Sequence, residues 1–241
     1  TFFEMTGMIG SICNNPEDYA SFYHNYRGKR YRHDQVHNLF GYYMTRSASE
    51  AFERYVPEKR ILLFSRASYI GMHRFGGIWQ GDNASWWSHL KMNVKMMPSL
   101  NMCGFLYTGA DVGGFGADAT EDLVLRWLEF AVFTPLLRNH SARGTRRQEV
   151  YRFSHVEKFA DVIGVRYQIL PYIYSEYMKA ALRNTMMFNP LSFLYGEDAL
   201  AGQVEDQLFI GENVMVAPVC EQNVTGRVVY FPERMKQLIF K

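Results

Sequence analysis

The chain has 241 residues, enough to bury a sizeable core in one large domain or two small ones. Hydrophobic residues make up 48% of it, charged residues 21%, and the formal net charge is +2. These values are typical of a soluble globular protein, and they give no reason to expect nucleic acid or a membrane surface as a partner.

The cysteines give a first indication of the cellular compartment. Cys13, Cys103 and Cys220 are widely spaced and odd in number, so the sequence indicates neither a disulfide framework nor a zinc cluster. The sequence shows no signal peptide and no apolar run near the ~18 residues of a membrane span. We therefore expect a reducing compartment, the cytoplasm of a bacterial cell. Because Thr1 is not an initiator Met, we also expect the chain to be truncated.

The first predicted elements are a helix and a strand. Apolar residues recur near the helical period from Asp34 to Tyr55, and Pro57 then breaks the pattern. The apolar run ILLF at 61–64 is typical of a strand buried on both faces. Arg66 therefore falls at the carboxyl end of a strand.

A second strand and helix pair follows a glycine-rich stretch. Ser85 can cap a helix over 85–97, which Pro98 is expected to end. The segment CGFLYTG at 103–109 reads as the next strand.

Another helix is predicted after the following glycine-rich loop. Asp118 and Glu121 have the spacing of a capping box at its start. Its apolar side chains share one face: Val124, Trp127, Leu128, Ala131 and Val132.

The remainder of the chain changes character towards its end. A long helix is predicted over 155–182, and MFNPLSFLY at 187–195 is a strand candidate. The segments at 208–219 and 226–232 read as short β-strands separated by Gly, Pro and Asn.

Repeated strand and helix units predict an α/β fold with a parallel sheet. A (β/α)8 barrel is favoured because Arg66, Asp82, Asp111 and His140 all fall in loops after successive strands, and such loops converge on one mouth of a barrel. A whole barrel needs about 250 residues, and about half of one is present. The sequence thus predicts the carboxyl-terminal part of a barrel over 1–205 and the beginning of a β-sandwich domain over 206–241.

Two carboxylates in glycine-rich loops are candidates for catalysis, Asp82 and Asp111. An Asp beside a Gly often only makes a turn. However, Trp79, Trp86 and Trp87 lie close to Asp82 in sequence, and apolar rings disfavour the charged form of a carboxyl, as a general acid requires. Spacing alone pairs the two aspartates as catalytic carboxylates.

Three segments carry a resemblance to a known family. RASYIGMHRFGGIWQGDN at 66–83, YTGADVGGFG at 107–116 and RNHS at 138–141 resemble three successive motifs of glycoside hydrolase family 31, in the family's order and spacing. The resemblance extends over essentially the whole chain. It implies a (β/α)8 barrel followed by β-sandwich domains, and hydrolysis of terminal α-linked glucose from oligosaccharides with retention of configuration.

The resemblance also implies roles for individual residues. Asp82 matches the general acid/base, and Arg66 matches an arginine that binds substrate hydroxyls. The other matched positions bind the sugar or line its site: Trp79, Asp111, Phe115 and His140. Asp111 is thereby assigned to binding and not to catalysis. No metal or organic cofactor is implied.

The sequence departs from the family at the nucleophile. The family carries it in a W-x-D-M-N-E motif that does not occur here, and Glu4 in FFEM lacks the Asn-Glu that should follow. We therefore expect the nucleophile upstream of this chain and the isolated chain to be inactive. An α-xylosidase, an α-glucosyltransferase or a degenerate sugar-binding barrel are the alternatives.

One further alternative is a zinc enzyme. His33 and His37 have the i, i+4 spacing of two zinc ligands on a helix. An ordinary packing pair is the favoured interpretation, because no third ligand can be identified.

Overall fold

The computed structural model describes residues 16–232. The chain divides into two compact units, Thr1–Trp79 and Gln80–Lys241. Below, the first unit means its described residues, 16–79, and the second unit means residues 80–232. Glu4 lies outside the described residues. None of the described helices is long and apolar enough to cross a membrane.

The first unit combines short strands with one long helix. Its elements are α1 (Pro16–Ser21), β1 (Tyr23–Tyr26), β2 (Lys29–Arg32), α2 (His33–Val36), α3 (Leu39–Tyr55), β3 (Phe64–Ser65), a 3-10 turn (Met72–Arg74) and β4 (Gly77–Trp79).

Strands β1 and β2 form an antiparallel hairpin that the sequence analysis did not predict. Arg27 and Gly28, its two loop residues, have φ values of 51° and 75°. Positive φ at both positions is the signature of a two-residue turn whose twist matches that of the strands.

Strands β3 and β4 are parallel, with Phe64 opposite Gly77 and Ser65 opposite Ile78. Arg66 therefore follows the end of a parallel strand, as predicted. The strand itself is shorter than predicted, and its burial on both faces was wrong, because Ile61 and Leu62 are 41% and 55% exposed. An apolar run in the sequence shows that a segment is hydrophobic, but not whether other elements pack against both of its faces.

The helix predicted over Asp34 to Tyr55 is interrupted. The break between α2 and α3 falls at His37 and Asn38, whose side chains are hydrogen-bonded to each other at 3.1 Å. Asn favours such local side-chain bonds over continued helix.

The second unit alternates helices with short strands. Its elements are α4 (Trp87–Met102), β5 (Thr108–Gly109), β6 (Asp111–Val112), α5 (Glu121–Ala131), β7 (Arg138–Asn139), a 3-10 turn (Val150–Arg152), α6 (Val156–Arg183), β8 (Phe188–Pro190), α7 (Leu191–Leu194), a 3-10 turn (Ala201–Gln203), β9 (Leu208–Ile210) and β10 (Val214–Val216).

Strands in the second unit pair in two ways. Strands β6 and β7 are parallel, and Asp111 lies opposite Arg138. Strands β8, β9 and β10 form an antiparallel sheet in which Ile210 pairs with both Phe188 and Val214. Because β6 and β7 are parallel, the segments that follow these two strands lie side by side at the same end of the pair.

The core of the second unit confirms the helical pattern read from the sequence. The predicted apolar face of α5 is buried, with every member at most 5% exposed: Val124, Trp127, Leu128, Ala131 and Val132. It packs against Leu90, Val94 and Met97 of α4 and Phe159 of α6. Helix α6 also spans almost the predicted range.

Predicted helix ends were wrong in both α4 and α5. Ser85 does not cap α4, which begins at Trp87, and its Oγ donates to Ala117 O at 3.1 Å. Helix α4 continues through Pro98 to Met102, at the loss of the hydrogen bond that a Pro nitrogen cannot donate. Helix α5 is capped by Thr120, whose Oγ1 accepts from Leu123 N at 3.3 Å. Asp118 instead accepts from Arg146 N at 2.5 Å, because the segment after β7 lies beside it.

Three predicted strands were too long or absent. Only Thr108–Gly109 of 103–109 and Phe188–Pro190 of 187–195 are strands, and Leu191 begins a helical turn after Pro190. Residues 226–232 are not a strand. Apolar composition alone does not supply a strand partner, and in 226–232 it does not indicate burial either, since Val228 is 89% exposed.

Candidate active site

Asp82 lies in a tight loop near the start of the second unit. Gly81 has φ of 92°, and a Cβ there would meet nothing within 4 Å, so the glycine is required by the backbone conformation and not by space. Asp82 itself is exposed, as is Trp86, at 57%. The enclosure of this carboxyl by apolar rings, predicted from the sequence, is therefore not present in the described residues.

The neighbour of Asp82, Asn83, joins two loops. Its side chain is buried, and its Nδ2 donates to Asp111 O at 3.3 Å. Its Oδ1 accepts from Phe115 N at 3.1 Å, and its backbone oxygen accepts from Phe115 N and Gly116 N at 2.8 and 3.0 Å. The loop that carries Asp82 is thus fixed to the loop that carries Phe115.

A second anchor of the Asp82 loop is Asn93 of α4, which the sequence analysis missed. Asn93 is 1% exposed. Its Oδ1 accepts from Asn83 Nδ2 at 2.9 Å, and its Nδ2 donates to Gln80 Oε1 at 2.7 Å. One buried amide therefore holds the residues on both sides of the Gly81 and Asp82 pair.

Asp111 lies in the pairing between β6 and β7. It is 0% exposed, and its Oδ1 accepts from Arg138 Nε at 2.7 Å. Arg138 is part of the RNHS motif, but the sequence analysis did not single it out. The strand register identifies Arg138, because Arg138 and Asp111 lie opposite each other in the β6–β7 pair.

Phe115 and His140 form a stacked pair in the second unit. Their ring centroids are 5.1 Å apart and their planes are inclined by 28°. Ala142 N donates to Phe115 O at 2.8 Å, which ties the segment after β7 to the same loop. The structure therefore brings together two of the residues that the resemblance assigns to a sugar site.

Gln148 is a further residue without a signal in the sequence. It is 2% exposed, and its Nε2 lies 3.0 Å from Val112 O, 3.1 Å from Gly114 O and 3.1 Å from Asn139 Oδ1. Asn139 Nδ2 in turn donates to Gln148 O at 2.7 Å. These bonds hold the β6 and β7 loops together.

In the first unit, Arg66 and Trp79 form a separate pair. The Arg66 guanidinium carbon lies 5.4 Å from the centre of the Trp79 ring, within the range of a cation–π contact. Trp79 is 4% exposed and Arg66 is exposed. The buried indole face therefore supports the planar guanidinium of the exposed Arg66.

A cleft of about 1010 Å³ in the second unit lies between the segment that follows β7 and α6. His140 and Arg138 line it together with Tyr107, Arg143 and Tyr167. Its walls thus combine hydrogen-bond donors with aromatic rings, as sugar-binding surfaces do.

The histidine pair considered as a zinc site is a packing cluster. His33 Nδ1 lies 2.7 Å from His24 Nε2, and His37 Nε2 lies 3.3 Å from the Tyr19 hydroxyl. Within residues 16–232 no group of three His, Cys, Asp or Glu is arranged to hold a metal ion. Burial and the neighbouring His24 and His37 lower the pKa of His33.

Comparison with known proteins defines the class of this chain. Residues 5–176 match the model of the glycosyl hydrolases family 31 TIM-barrel domain, and residues 184–238 match the glycosyl hydrolase family 31 C-terminal domain. The fold is therefore that of a glycoside hydrolase barrel followed by a further domain, as predicted. The chain belongs to glycoside hydrolase family 31.

Individual relatives agree with this assignment. The chain is 35% identical over 214 residues to alpha-glucosidase 2 of Bacillus thermoamyloliquefaciens, covering 87% of this chain and 27% of that protein. It is 31% identical over 226 residues to human neutral alpha-glucosidase AB, covering 92% and 24% respectively.

A solved structure gives the same result. A Flavobacterium johnsoniae family 31 dextranase, complexed with glucose, superposes with a TM-score of 0.82 at 28% identity, covering 91% of this chain and 28% of the dextranase. The chain thus spans about a quarter of the length of the proteins it matches.

Proposed function

We propose that this chain forms part of the active site of a retaining α-glucosidase that removes terminal α-linked glucose from oligosaccharides. The observation that carries the proposal is the placement of Asp82: an exposed carboxyl on a short loop whose flanking residues are fixed by buried amides. Membership of a glycosidase family and the alpha-glucosidase relatives support the same reaction.

In the proposed reaction Asp82 acts twice. As an acid it protonates the departing glycosidic oxygen while a carboxylate nucleophile forms a covalent glucosyl intermediate. As a base it then removes a proton from the attacking water. We place the nucleophile in the part of the protein outside this chain, because the family's nucleophile motif does not occur in the sequence.

The other matched residues are proposed to hold the sugar ring. In the second unit, His140 is proposed to donate a hydrogen bond to a hydroxyl and Phe115 to supply apolar surface. In the first unit, Arg66 is proposed to donate to hydroxyls, and the buried Trp79 supports its guanidinium. Such contacts strengthen as the ring flattens towards an oxocarbenium-like state. Asp111 is matched to sugar binding, but its burial against Arg138 fits more directly with holding the segment that leads to His140.

The experiment uses the complete protein and its Asp82→Ala variant. We expect kcat/KM, which reports the steps up to formation of the glucosyl intermediate, to fall about 100-fold or more on maltose, whose leaving group needs a proton, and much less on α-glucosyl fluoride, whose leaving group does not. The turnover number kcat falls on both substrates, because they share the second step, in which Asp82 acts as base. An equal loss of kcat/KM on both substrates would exclude the acid role.

Product analysis tests the remaining parts of the proposal. We expect α-glucose as the first product by NMR, and faster cleavage of maltose or isomaltose than of an α-xyloside. A β-anomer would contradict retention, and a preference for the xyloside would favour α-xylosidase activity. A cytoplasmic location also stays a prediction, which cell fractionation can test.

A further inference from the structure

We propose that Asn93 is a positioning residue for the general acid/base, acting through the two residues that flank Gly81 and Asp82. This inference rests on the proposed function of Asp82. It concerns a residue on α4 that belongs to none of the three family motifs described above.

The surroundings of Asn93 are those of a core position. It is 1% exposed, and its neighbours Leu90, Val94 and Met97 on the same helix are all 0% exposed. Burying an amide among apolar side chains costs free energy unless its polar atoms are hydrogen-bonded. Local packing would therefore favour an apolar side chain here, and the bonds to the Asp82 loop explain why an amide is present.

The direction of the hydrogen bonds in this network is fixed from one end. Because Phe115 N–H points at one side-chain atom of Asn83, that atom must be the oxygen Oδ1. The Asn83 Nδ2 then donates to Asn93 Oδ1, which leaves Asn93 Nδ2 to donate to Gln80 Oε1. Each amide can take only one orientation, so the network specifies a single loop geometry.

Only two residues separate the anchored positions. Gln80 is held by its side chain and by its backbone N–H, which donates to Gly109 O at 3.1 Å. Gly81 and Asp82 lie between Gln80 and Asn83. The backbone of Gly81 has a left-handed conformation, and no neighbouring atom lies within 4 Å of the position of a Cβ there. The direction of the Asp82 carboxyl therefore depends on how firmly the two ends of this segment are held.

The direction of the Asp82 carboxyl affects proton transfer more than it affects substrate binding. A general acid must lie within hydrogen-bonding distance of the oxygen that it protonates, and a displacement of about 1 Å can cost about 100-fold in rate. Substrate affinity depends on the other contacts to the sugar. Loss of the Asn93 bonds should thus lower kcat/KM far more for a substrate that needs acid assistance than for one that does not.

The test compares Asn93→Leu with Asn101→Leu in the complete protein. Asn101 is a matched control because it lies on the same helix, is 3% exposed, and bonds to Phe105 O, Met187 N and Phe188 N instead of the Asp82 loop. Both variants remove a buried amide. For Asn93→Leu we expect kcat/KM to fall about 10- to 100-fold on maltose and less than about 3-fold on α-glucosyl fluoride.

Asn101→Leu should lower thermal stability but affect the two substrates in the same proportion. If Asn93→Leu also affects both substrates equally, or neither, Asn93 is only a structural residue. Should Asn93→Leu not fold, Gln80→Leu cuts one of the same bonds and must show the selective loss on maltose; unchanged kinetics in that variant would overturn the inference.

Asp82→Ala measured in the same series separates the two proposals. A selective loss on maltose in Asp82→Ala together with a uniform loss in Asn93→Leu rejects only the positioning role. A uniform loss in Asp82→Ala rejects the acid role and the inference with it.

Discussion

The Asp111 carboxylate has no solvent-exposed surface, and its Oδ1 lies 2.7 Å from Arg138 Nε. Removing a carboxylate from water costs several kcal/mol, which an ion pair offsets only when its geometry is good. Here the parallel register of β6 and β7 supplies that geometry by making the two residues direct partners. The pair therefore fixes the start of the segment that carries His140.

Replacing Arg138 with Met should be strongly destabilising. The change leaves Asp111 buried without the guanidinium, which should lower the free energy of unfolding of the second unit by about 3 kcal/mol. Urea denaturation followed by tryptophan fluorescence measures this. Arg152→Met is the control, since Arg152 and Glu149 form an ion pair at 3.0 Å that is 40% and 46% exposed and should contribute less than about 1 kcal/mol. Similar losses in both variants would contradict the buried-pair argument.

Some of the candidate site residues could be identified from the sequence and others could not, for a physical reason. Asp82, Asp111 and His140 could be singled out because each lies in a short motif. Asn93 and Gln148 lie in none of the motifs, and Arg138 lies in one but was not assigned a role, because the roles of all three depend on partners that are distant in sequence. The bond from Gln148 to Val112, for example, joins residues 36 positions apart.

The glycine-rich segment after β6 passes close to the backbone of another loop. Gly114 has φ of 88°, and a Cβ there would lie 2.5 Å from both Cα and N of Ser85. Such a contact is with backbone and cannot be relieved by rotating a side chain. Gly116, two residues later, has open space, since a Cβ there would come no closer than 4.0 Å to Asn83 O.

Gly114→Ala should therefore destabilise the second unit by about 3 kcal/mol, through left-handed strain and a backbone clash together. Gly116→Ala should change stability by less than about 1 kcal/mol, because neither cost applies there. Thermal unfolding of the two variants side by side provides the measurement. A Gly116→Ala loss as large as that of Gly114→Ala would show that the contact with Ser85 is not the cause.

Helices were predicted better than strands, and the reason is physical. The buried face of α5 and the span of α6 follow from side-chain periodicity within one segment. The strands are two or three residues long in the second unit, and several pair with strands that are distant in sequence, as β6 does with β7 and β8 with β9. Helix ends were also missed where tertiary contacts decided them, as at Pro98 and Thr120.

For the whole molecule, the order of elements predicted a barrel segment followed by another domain, and the family match confirmed that architecture. The division at residues 205 and 206 stays a prediction. Strand β8 lies before it and pairs with β9, which lies after it. Closure of a barrel depends on strands that the sequence pattern cannot place, so motif order was the more informative signal.

A prediction for the whole molecule concerns the enzymatic activity of the 241-residue chain by itself. Double displacement needs two carboxyl groups about 5 to 5.5 Å apart, one as nucleophile and one as acid/base. The chain spans about 27% of its Bacillus relative, and the family's nucleophile motif is not in its sequence. We therefore expect no glucose release from maltose by the purified chain under conditions in which the complete protein is active. Glucose release by the chain that disappears in its own Asp82→Ala variant would contradict this, because that loss would exclude a contaminating enzyme and require a nucleophile within these 241 residues.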